Sequence, residues 1–279
     1  MKSIGINLGA YSKELSPKDE VALLTKLGFT HAFMVTEDDR LPEYAEAMEG
    51  KMVFENFHAP FSNINDIWLP EGNEKGEEML ARLLRAVDCC KKYGAGALVV
   101  HLSSGENAPR ISDAGARRYD RLMAYARENG IQIAYENQRK LASLAFALEG
   151  YPDAGFCFDV GHEACFTETY RHAPMFASRL TVLHLHNNFC EHNRDLHLLP
   201  FDGKIDMERV ARELAASAYR GPIMLEVLRR NSNLYDGYTP EEYYERAYEQ
   251  ARRFAELVES FETRRGAADV LSGEFQQHR

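Results

Sequence analysis

Acidic and imidazole side chains recur in this chain at the carboxyl ends of short apolar runs. In chain order they are His58, His101, Glu136, Asp159 with His162, His184 with His186, and Glu226. A single histidine or acid at the end of a strand is usually a hydrogen-bonded or solvated rim residue. Six consecutive runs that end in an acid or an imidazole are poorly explained by chance. Because imidazoles and carboxylates together bind divalent metals, the pattern indicates a metal site.

The carboxylates of Glu136, Asp159 and Glu226 repel one another if they face a common space. Two carboxylates about 4 Å apart repel by about 4 kcal/mol at an effective dielectric constant near 20. A divalent cation removes this repulsion. The histidines favour Mn²⁺ or Zn²⁺, while Mg²⁺, Fe²⁺ and Co²⁺ stay open, and one to three ions are expected.

The elements that must position these residues alternate along the whole chain. The predicted strands are residues 3–8, 31–35, 52–58, 97–102, 132–136, 155–159, 181–186 and 223–227. The predicted helices are residues 17–27, 42–48, 74–93, 113–129, 140–148, 163–177, 207–218 and 240–261. Strict alternation predicts parallel strands joined by crossover helices. Eight units favour a single-domain (β/α)₈ TIM barrel that spans residues 1–262 and is followed by a tail at residues 263–279. The carboxyl ends of the strands meet on one face of such a barrel.

Composition excludes several classes of function. The formal net charge is −10 and no basic strip interrupts it, so a nucleic acid partner is not expected. No apolar run is long enough to span a membrane. The five cysteines form no C-x-x-C pair, which predicts reduced thiols in a cytoplasmic protein.

Several motifs carry a resemblance over residues 3–261. They are Phe57-His58-Ala59-Pro60-Phe61, Tyr135-Glu136-Asn137, Asp159-Val160-Gly161-His162, His184-Leu185-His186-Asn187-Asn188, and Asp195-Leu196-His197-Leu198-Leu199-Pro200 running into Gly203-Lys204-Ile205-Asp206. In combination they resemble the xylose-isomerase-like barrel superfamily. That superfamily includes sugar phosphate isomerases and epimerases, ketose 3-epimerases, inosose dehydratases and endonuclease IV.

The resemblance implies three sets of metal ligands. The set that resembles the central metal site of the isomerases and epimerases is Glu136, Asp159, His184 and Glu226. The set that resembles a second site is His58 and His101. The set that resembles the completion of a three-metal cluster in endonuclease IV is His162, Asp195 and His197. Two departures leave the substrate open: residues 197–203 differ from the usual loop, and Asn187 replaces an acid. His186 is interpreted as a supporting residue.

The function implied is a metal-dependent sugar or sugar-phosphate isomerase or epimerase. Glu136 and Glu226 would move the proton while a metal stabilises an enediolate, and His162 would orient the substrate. An endonuclease IV-like phosphodiesterase and a non-catalytic barrel that binds sugar or metal are the alternatives. The expected partner is a small sugar or sugar phosphate, and association into a homo-oligomer stays open.

Four further residues have two interpretations each. Arg229 and Arg230 would hold a phosphate or carboxylate group of the substrate, or belong to a solvated charged loop. Phe61 and Trp68 would form an apolar wall over a sugar, or simply pack against a helix.

Overall fold

The structure is a computed structural model that describes residues 1–12, 15–167 and 172–276, with side chains described as far as residue 265. Nine strand segments occur in this described part of the chain. They are β1 (Ile4–Asn7), β2 (His31–Phe33), β3 (Val53–Phe54), β4 (Asn56–His58), β5 (Ala97–Val100), β6 (Gln132–Glu136), β7 (Gly155–Asp159), β8 (Leu180–His184) and β9 (Ile223–Leu225).

All paired strands are parallel and together form one barrel. The strand orders are β3-β2-β1-β9 in one sheet and β4-β5-β6-β7-β8 in the other. Isolated bridges join the sheets at both edges, between Val35 and His58 and between Leu185 and Leu225. Glu55 separates β3 from β4, so these segments form the single third strand that the sequence predicts. The expected α/β barrel is confirmed.

Helices cover the outside of the strands. They are α1 (Pro17–Leu27), α2 (Leu41–Met48), α3 (Glu74–Tyr93), α4 (Asp113–Glu128), α5 (Leu141–Gly150), α6 (Val160–Phe166), α7 (His172–Phe176), α8 (Met207–Ala216) and α9 (Pro240–Gln276). Local signals begin and end several of them. The side chain of Ser16 accepts a hydrogen bond from the backbone of Asp19 at the start of α1, and Gly28 ends that helix with φ of +106°.

The helix predicted at 163–177 is wrong in its form. The structure has α6 and α7 in that region, and residues 168–171 lie outside the described part. Helix α6 begins directly after β7 because the side chain of Asp159 accepts a hydrogen bond from the backbone N–H of His162, at 2.5 Å. His162 therefore lies in the first turn of a helix and not at a strand end.

The last helix extends beyond the end that the sequence predicts for the barrel. Helix α9 continues past residue 262 to Gln276, and residues 277–279 lie outside the described part. The boundary between residues 262 and 263 stays a prediction. Among the described helices, none is both long and apolar enough to cross a membrane.

The strand pleat decides which side chains face the barrel axis. A small inner cluster, separate from the main core, consists of Ala97, Val99, Ala134, Cys157 and Val182. Successive side chains of a strand alternate between its two faces. His101, Glu136, Asp159 and His184 each follow one of these inner residues by two positions. They therefore point to the same interior, one layer closer to the carboxyl ends of the strands.

Candidate metal centre

Four chain segments bring a central group together at the carboxyl end of the barrel. Its members are Glu136, Asp159 and His184, which end β6, β7 and β8, and Glu226, which directly follows β9. One possible ligand atom of each lies within 4.8 Å of the others. His184 Nδ1 is 2.6 Å from Glu136 Oε1 and 3.0 Å from Glu226 Oε2. Three carboxylates and an imidazole thus face one small space.

A second group shares Glu136 with the central group. It contains His58 and His101, whose Nε2 atoms are 3.1 Å apart. His101 Nε2 also contacts Glu136 Oε2, and His58 Nε2 lies 3.7 Å from the same oxygen. The other oxygen of Glu136 faces His184, so its carboxylate belongs to both groups.

A third group contains His162, Asp195 and His197. Asp195 Oδ2 is 3.3 Å from His162 Nε2 and 2.9 Å from His197 Nε2. His197 adopts a left-handed backbone with φ of +49°, which is uncommon outside glycine. Two backbone hydrogen bonds of 2.8 Å, one in each direction between Asn187 and Leu198, close the loop that carries Asp195 and His197. All nine predicted ligands thus fall into three groups, and their role as ligands stays a prediction.

Hydrogen bonds at the outer ring nitrogens orient three of the imidazoles. The Nδ1 atom of His58 is 2.7 Å from the carbonyl oxygen of Ala59, and that of His197 is 3.0 Å from the carbonyl oxygen of Glu226. His162 Nδ1 is likewise 3.1 Å from the carbonyl oxygen of Asn137. A carbonyl accepts only from N–H, so each Nδ1 carries a hydrogen and each Nε2 faces the centre, where it can bind an ion once it is deprotonated. Metal-binding histidines typically show this arrangement.

The pKa values of the buried acids and imidazoles show how the charges of the centre are balanced. Burial raises the pKa of the Glu136 carboxyl, but the imidazoles of His101 and His184 outweigh it and hold that pKa well below its ordinary value. Burial lowers the pKa of His197, whereas the Asp195 carboxylate raises it more strongly, to about 9. The Glu136 carboxyl is therefore ionised at neutral pH. In the absence of ions, His197 is protonated beside the Asp195 carboxylate.

The donor set fits a divalent ion. One buried carboxylate oxygen, Asp195 Oδ1, accepts no hydrogen bond from the described part of the chain. A buried charged oxygen without a partner is costly, and coordination to a cation supplies that partner. Nitrogen and carboxylate donors suit Mn²⁺, Zn²⁺, Fe²⁺ or Co²⁺. Each of the three groups offers at least three such donors.

Sequence reasoning missed Gln138. Its side-chain Nε2 is 3.2 Å from Glu136 Oε2, 3.2 Å from His101 Nε2 and 3.1 Å from His162 Nδ1. The residue is buried and lies between the second and third groups. Its position two residues after Glu136 was the available signal, because that spacing repeats the inward face of β6.

A cavity of about 690 Å³ opens beside the centre. Its walls include Phe33, Phe61, Arg40, Arg230, His197 and Glu226. Glu226 and His197 line this cavity and also belong to the candidate groups, so a small molecule bound there would touch the centre. The cavity lies on the β1, β2 and β9 side of the barrel mouth.

The two aromatic residues that the sequence offers as a cavity wall have different surroundings. Phe61 is 44% exposed and stacks on the His101 ring, with centroids 5.3 Å apart. Trp68 is 6% exposed, and its Nε1–H donates to the carbonyl oxygen of Leu102 at 2.7 Å. Phe61 therefore lines the cavity, whereas Trp68 packs inside the protein.

The neighbouring residues Arg229 and Arg230 also have different surroundings. Arg229 lies over the Tyr11 ring, 5.0 Å from its centroid, and its backbone N–H donates to Ala10. Arg230 is exposed and lines the cavity. Of this pair, Arg230 is the one placed to meet a bound molecule.

Comparisons with known proteins agree with this architecture. A family model described as a xylose isomerase-like TIM barrel matches residues 21–261. The uncharacterized protein y4fM of Sinorhizobium fredii is 30% identical over 203 residues, which is 67% of this chain and 62% of that protein. The match thus spans less than two thirds of that relative's length.

Solved structures share the fold at low identity. D-psicose 3-epimerase from Clostridium cellulolyticum, in a structure with D-tagatose, superimposes with a TM-score of 0.72 at 14% identity, covering 92% of this chain and 99% of that one. The IolI protein with a zinc atom superimposes with a TM-score of 0.70 at 17% identity, covering 94% and 99%. At these identities the likeness concerns the fold.

Proposed function

Because this chain belongs to the xylose isomerase-like TIM barrel family, we propose that it is a metal-dependent enzyme that isomerises or epimerises a sugar or sugar phosphate. The observation that carries the proposal is that Glu136 and Glu226 reach the same atom of His184 from strands on the two sides of β8. Their oxygens lie 2.6 and 3.0 Å from its Nδ1 atom. Two carboxylates that enter one space from different strands suit the removal of a proton from one face of a carbon and its return to the other.

The residues that would hold the central ion are Glu136, Asp159, His184 and Glu226. A divalent ion bound there would polarise a carbonyl oxygen and stabilise the negative charge that develops on it. Glu226, which also lines the cavity, would accept the proton at a carboxylate oxygen. Glu136 would deliver a proton taken up from solvent to the other face, Glu226 would release its proton to solvent to complete the cycle, and His162 would orient a hydroxyl group of the substrate. Phe61 would cover the apolar face of the bound molecule.

The neighbouring proteins support this choice of reaction class. One neighbour is a sugar epimerase by name, D-psicose 3-epimerase in a structure with D-tagatose, and another, the IolI protein, holds a zinc atom. The cavity beside Glu226 has the volume of a small-molecule site. Sugar, metal and proton-transfer groups would therefore meet at one end of the barrel.

Hydrogen exchange tests the proposal without a guess about the product. The protein loaded with Mn²⁺ or Co²⁺ is incubated in D₂O with free and phosphorylated aldoses and ketoses, and deuterium at carbon is measured by mass spectrometry. We expect exchange at a carbon next to the carbonyl for at least one sugar, and its loss in Glu226→Gln. Absence of exchange across the panel, with metal bound, would reject the proposal.

One observation favours a second candidate, a metal-dependent phosphodiesterase of the endonuclease IV type. The groups around His58 and around Asp195 add two possible ion positions that proton transfer on a sugar does not require. Three ions would activate a water and stabilise a leaving oxygen. The net charge of −10 opposes a DNA substrate. Nicking of abasic DNA at modest salt by the metal-loaded protein would favour this candidate over the first.

A further inference from the structure

His186 joins two of the candidate metal groups through a single ring. Its Nε2 atom lies 3.0 and 3.1 Å from the two carboxylate oxygens of Asp159, a member of the central group. Its ring stacks on His197 of the third group, with centroids 4.1 Å apart and planes at 14°. His186 is fully buried, at 0% exposure, so it does not meet a molecule in the cavity.

The surrounding backbone is shaped to admit this ring. A Cβ atom at Gly161 would lie 1.8 Å from Cε1 of His186 and 2.5 Å from both ring nitrogens. The Asn188 side chain donates to the carbonyl oxygen of Gly161 at 3.0 Å, which ties the loop after β8 to the start of α6. The imidazole is thus packed against main chain on one side and against His197 on another. Such packing leaves the ring little freedom to turn.

The contact with Asp159 determines which nitrogen of the His186 ring carries a hydrogen. A carboxylate accepts hydrogen bonds, so Nε2 carries a hydrogen and donates to Asp159. A donor of this kind reduces the orientations open to the carboxylate before an ion binds. Hydrogen-bond partners of metal ligands typically contribute about 10–100-fold to metal affinity.

We propose that His186 is a positioning residue that holds Asp159 in the orientation required by the central ion. The inference rests on the proposed metal centre and assigns no ion to His186 itself. Two other roles make different demands. A ligand role would use Nδ1, which lies 3.8 Å from Asp195 Oδ1. A role as filler would need only the volume of the ring.

The side-chain length of the replacement distinguishes these roles. A glutamine amide reaches about as far as Nε2 of histidine and can still donate to Asp159, but it has no ring nitrogen at the Nδ1 position. An asparagine amide is too short to reach Asp159. Alanine removes every contact. We therefore compare His186→Gln, His186→Asn and His186→Ala in the full chain.

The readout is the dissociation constant of the most tightly bound Co²⁺, measured by competition with a chromophoric chelator. We expect His186→Ala and His186→Asn to weaken it about 10–100-fold, and His186→Gln to stay within about threefold of the unmodified protein. Asp159→Asn should weaken it as well. In that background His186→Ala should add little, because the two changes remove the same interaction.

Each result has one meaning. Equal weakening by glutamine and alanine would overturn the positioning role in favour of a ligand, and unchanged affinity in alanine would overturn it in favour of filler. Should His186→Ala fail to fold, judged by thermal unfolding without metal, the glutamine–asparagine pair decides. Failure of the unmodified protein to bind Co²⁺ would remove the proposed metal centre itself, whereas binding by it and by every variant alike would reject only the role of His186.

Discussion

Glu136 Oε1 and His184 Nδ1 lie 2.6 Å apart, although 48 residues separate these two side chains in the chain. The contact exists because both residues occupy inward positions at the ends of parallel strands, with β7 between them. Strand register places Glu136 opposite Cys157 and Asp159 opposite His184. Asp159 and His184 are therefore direct partners in the ladder, and the Glu136 side chain reaches the same space from a position two residues lower.

Glu136→Gln should abolish catalysis and weaken metal binding while the fold survives. The side chain contacts His101 and His184 and is nearly fully buried, so the amide keeps the volume and loses the charge. We expect carbon-bound hydrogen exchange to fall by at least about 10²-fold. Glu213→Gln, on α8 away from the centre, serves as the control and should retain full exchange. Normal exchange in Glu136→Gln would contradict the role of this carboxylate.

Gly161→Ala should lower the free energy of unfolding by about 1–3 kcal/mol, the usual cost of overpacking. The added methyl group would lie 1.8 Å from Cε1 of His186, whose side chain is fully buried. Urea unfolding without metal measures the effect. The matched control is Gly96→Ala, since a Cβ there meets no atom within 4 Å. Equal stability of the two variants would show that the His186 ring is not confined.

Phe61→Ala and Trp68→Phe should affect different properties. Phe61 is half exposed at the cavity, so its loss should raise the substrate concentration for half-maximal exchange and leave unfolding nearly unchanged. Trp68→Phe removes the hydrogen bond to Leu102 and should cost about 1–3 kcal/mol of stability. Half-maximal concentration and thermal unfolding are measured for both. A reversed pattern would mean that Trp68 lines the binding site.

Glu20→Gln should change how stability depends on pH. Glu20 is fully buried and accepts hydrogen bonds from Tyr44, Tyr244 and the backbone N–H of Gly9. Burial raises its pKa in the folded protein, and the hydrogen bonds only partly offset this. An acid with a raised folded-state pKa destabilises the fold once it ionises, so this contribution worsens as pH rises from the unfolded value through the folded one.

The variant lacks that titration. Its free energy of unfolding relative to the unmodified protein should therefore shift in the variant's favour between pH 4 and neutral pH. Urea unfolding at several pH values gives this difference. A difference that is constant with pH would show that Glu20 does not titrate in this range.

Periodicity and motif spacing predicted the barrel and the convergence of its ligand-type residues. Strands β6 and β7 match the predicted bounds, and Glu136 and Asp159 end them as expected. The start of α6 was not predicted, because the N-cap hydrogen bond of Asp159 depends on a local backbone turn. Gln138 and the full burial of His186 were also missed. Spacing along β6 marks Gln138 as an inward residue but does not reveal its contacts with distant segments, and the burial of His186 depends on such contacts as well.

The metal content of the purified protein tests the proposed metal centre most directly. The full chain is purified without chelators, dialysed against Mn²⁺, Zn²⁺ or Co²⁺ and then against metal-free buffer, and analysed for metal equivalents per chain. We expect at least one equivalent, and its loss when Glu136 and Glu226 are both replaced by glutamine in a chain that still folds. One equivalent would favour proton transfer on a sugar, and three would favour the phosphodiesterase. A folded, unmodified chain that retains none of these metals would contradict the account.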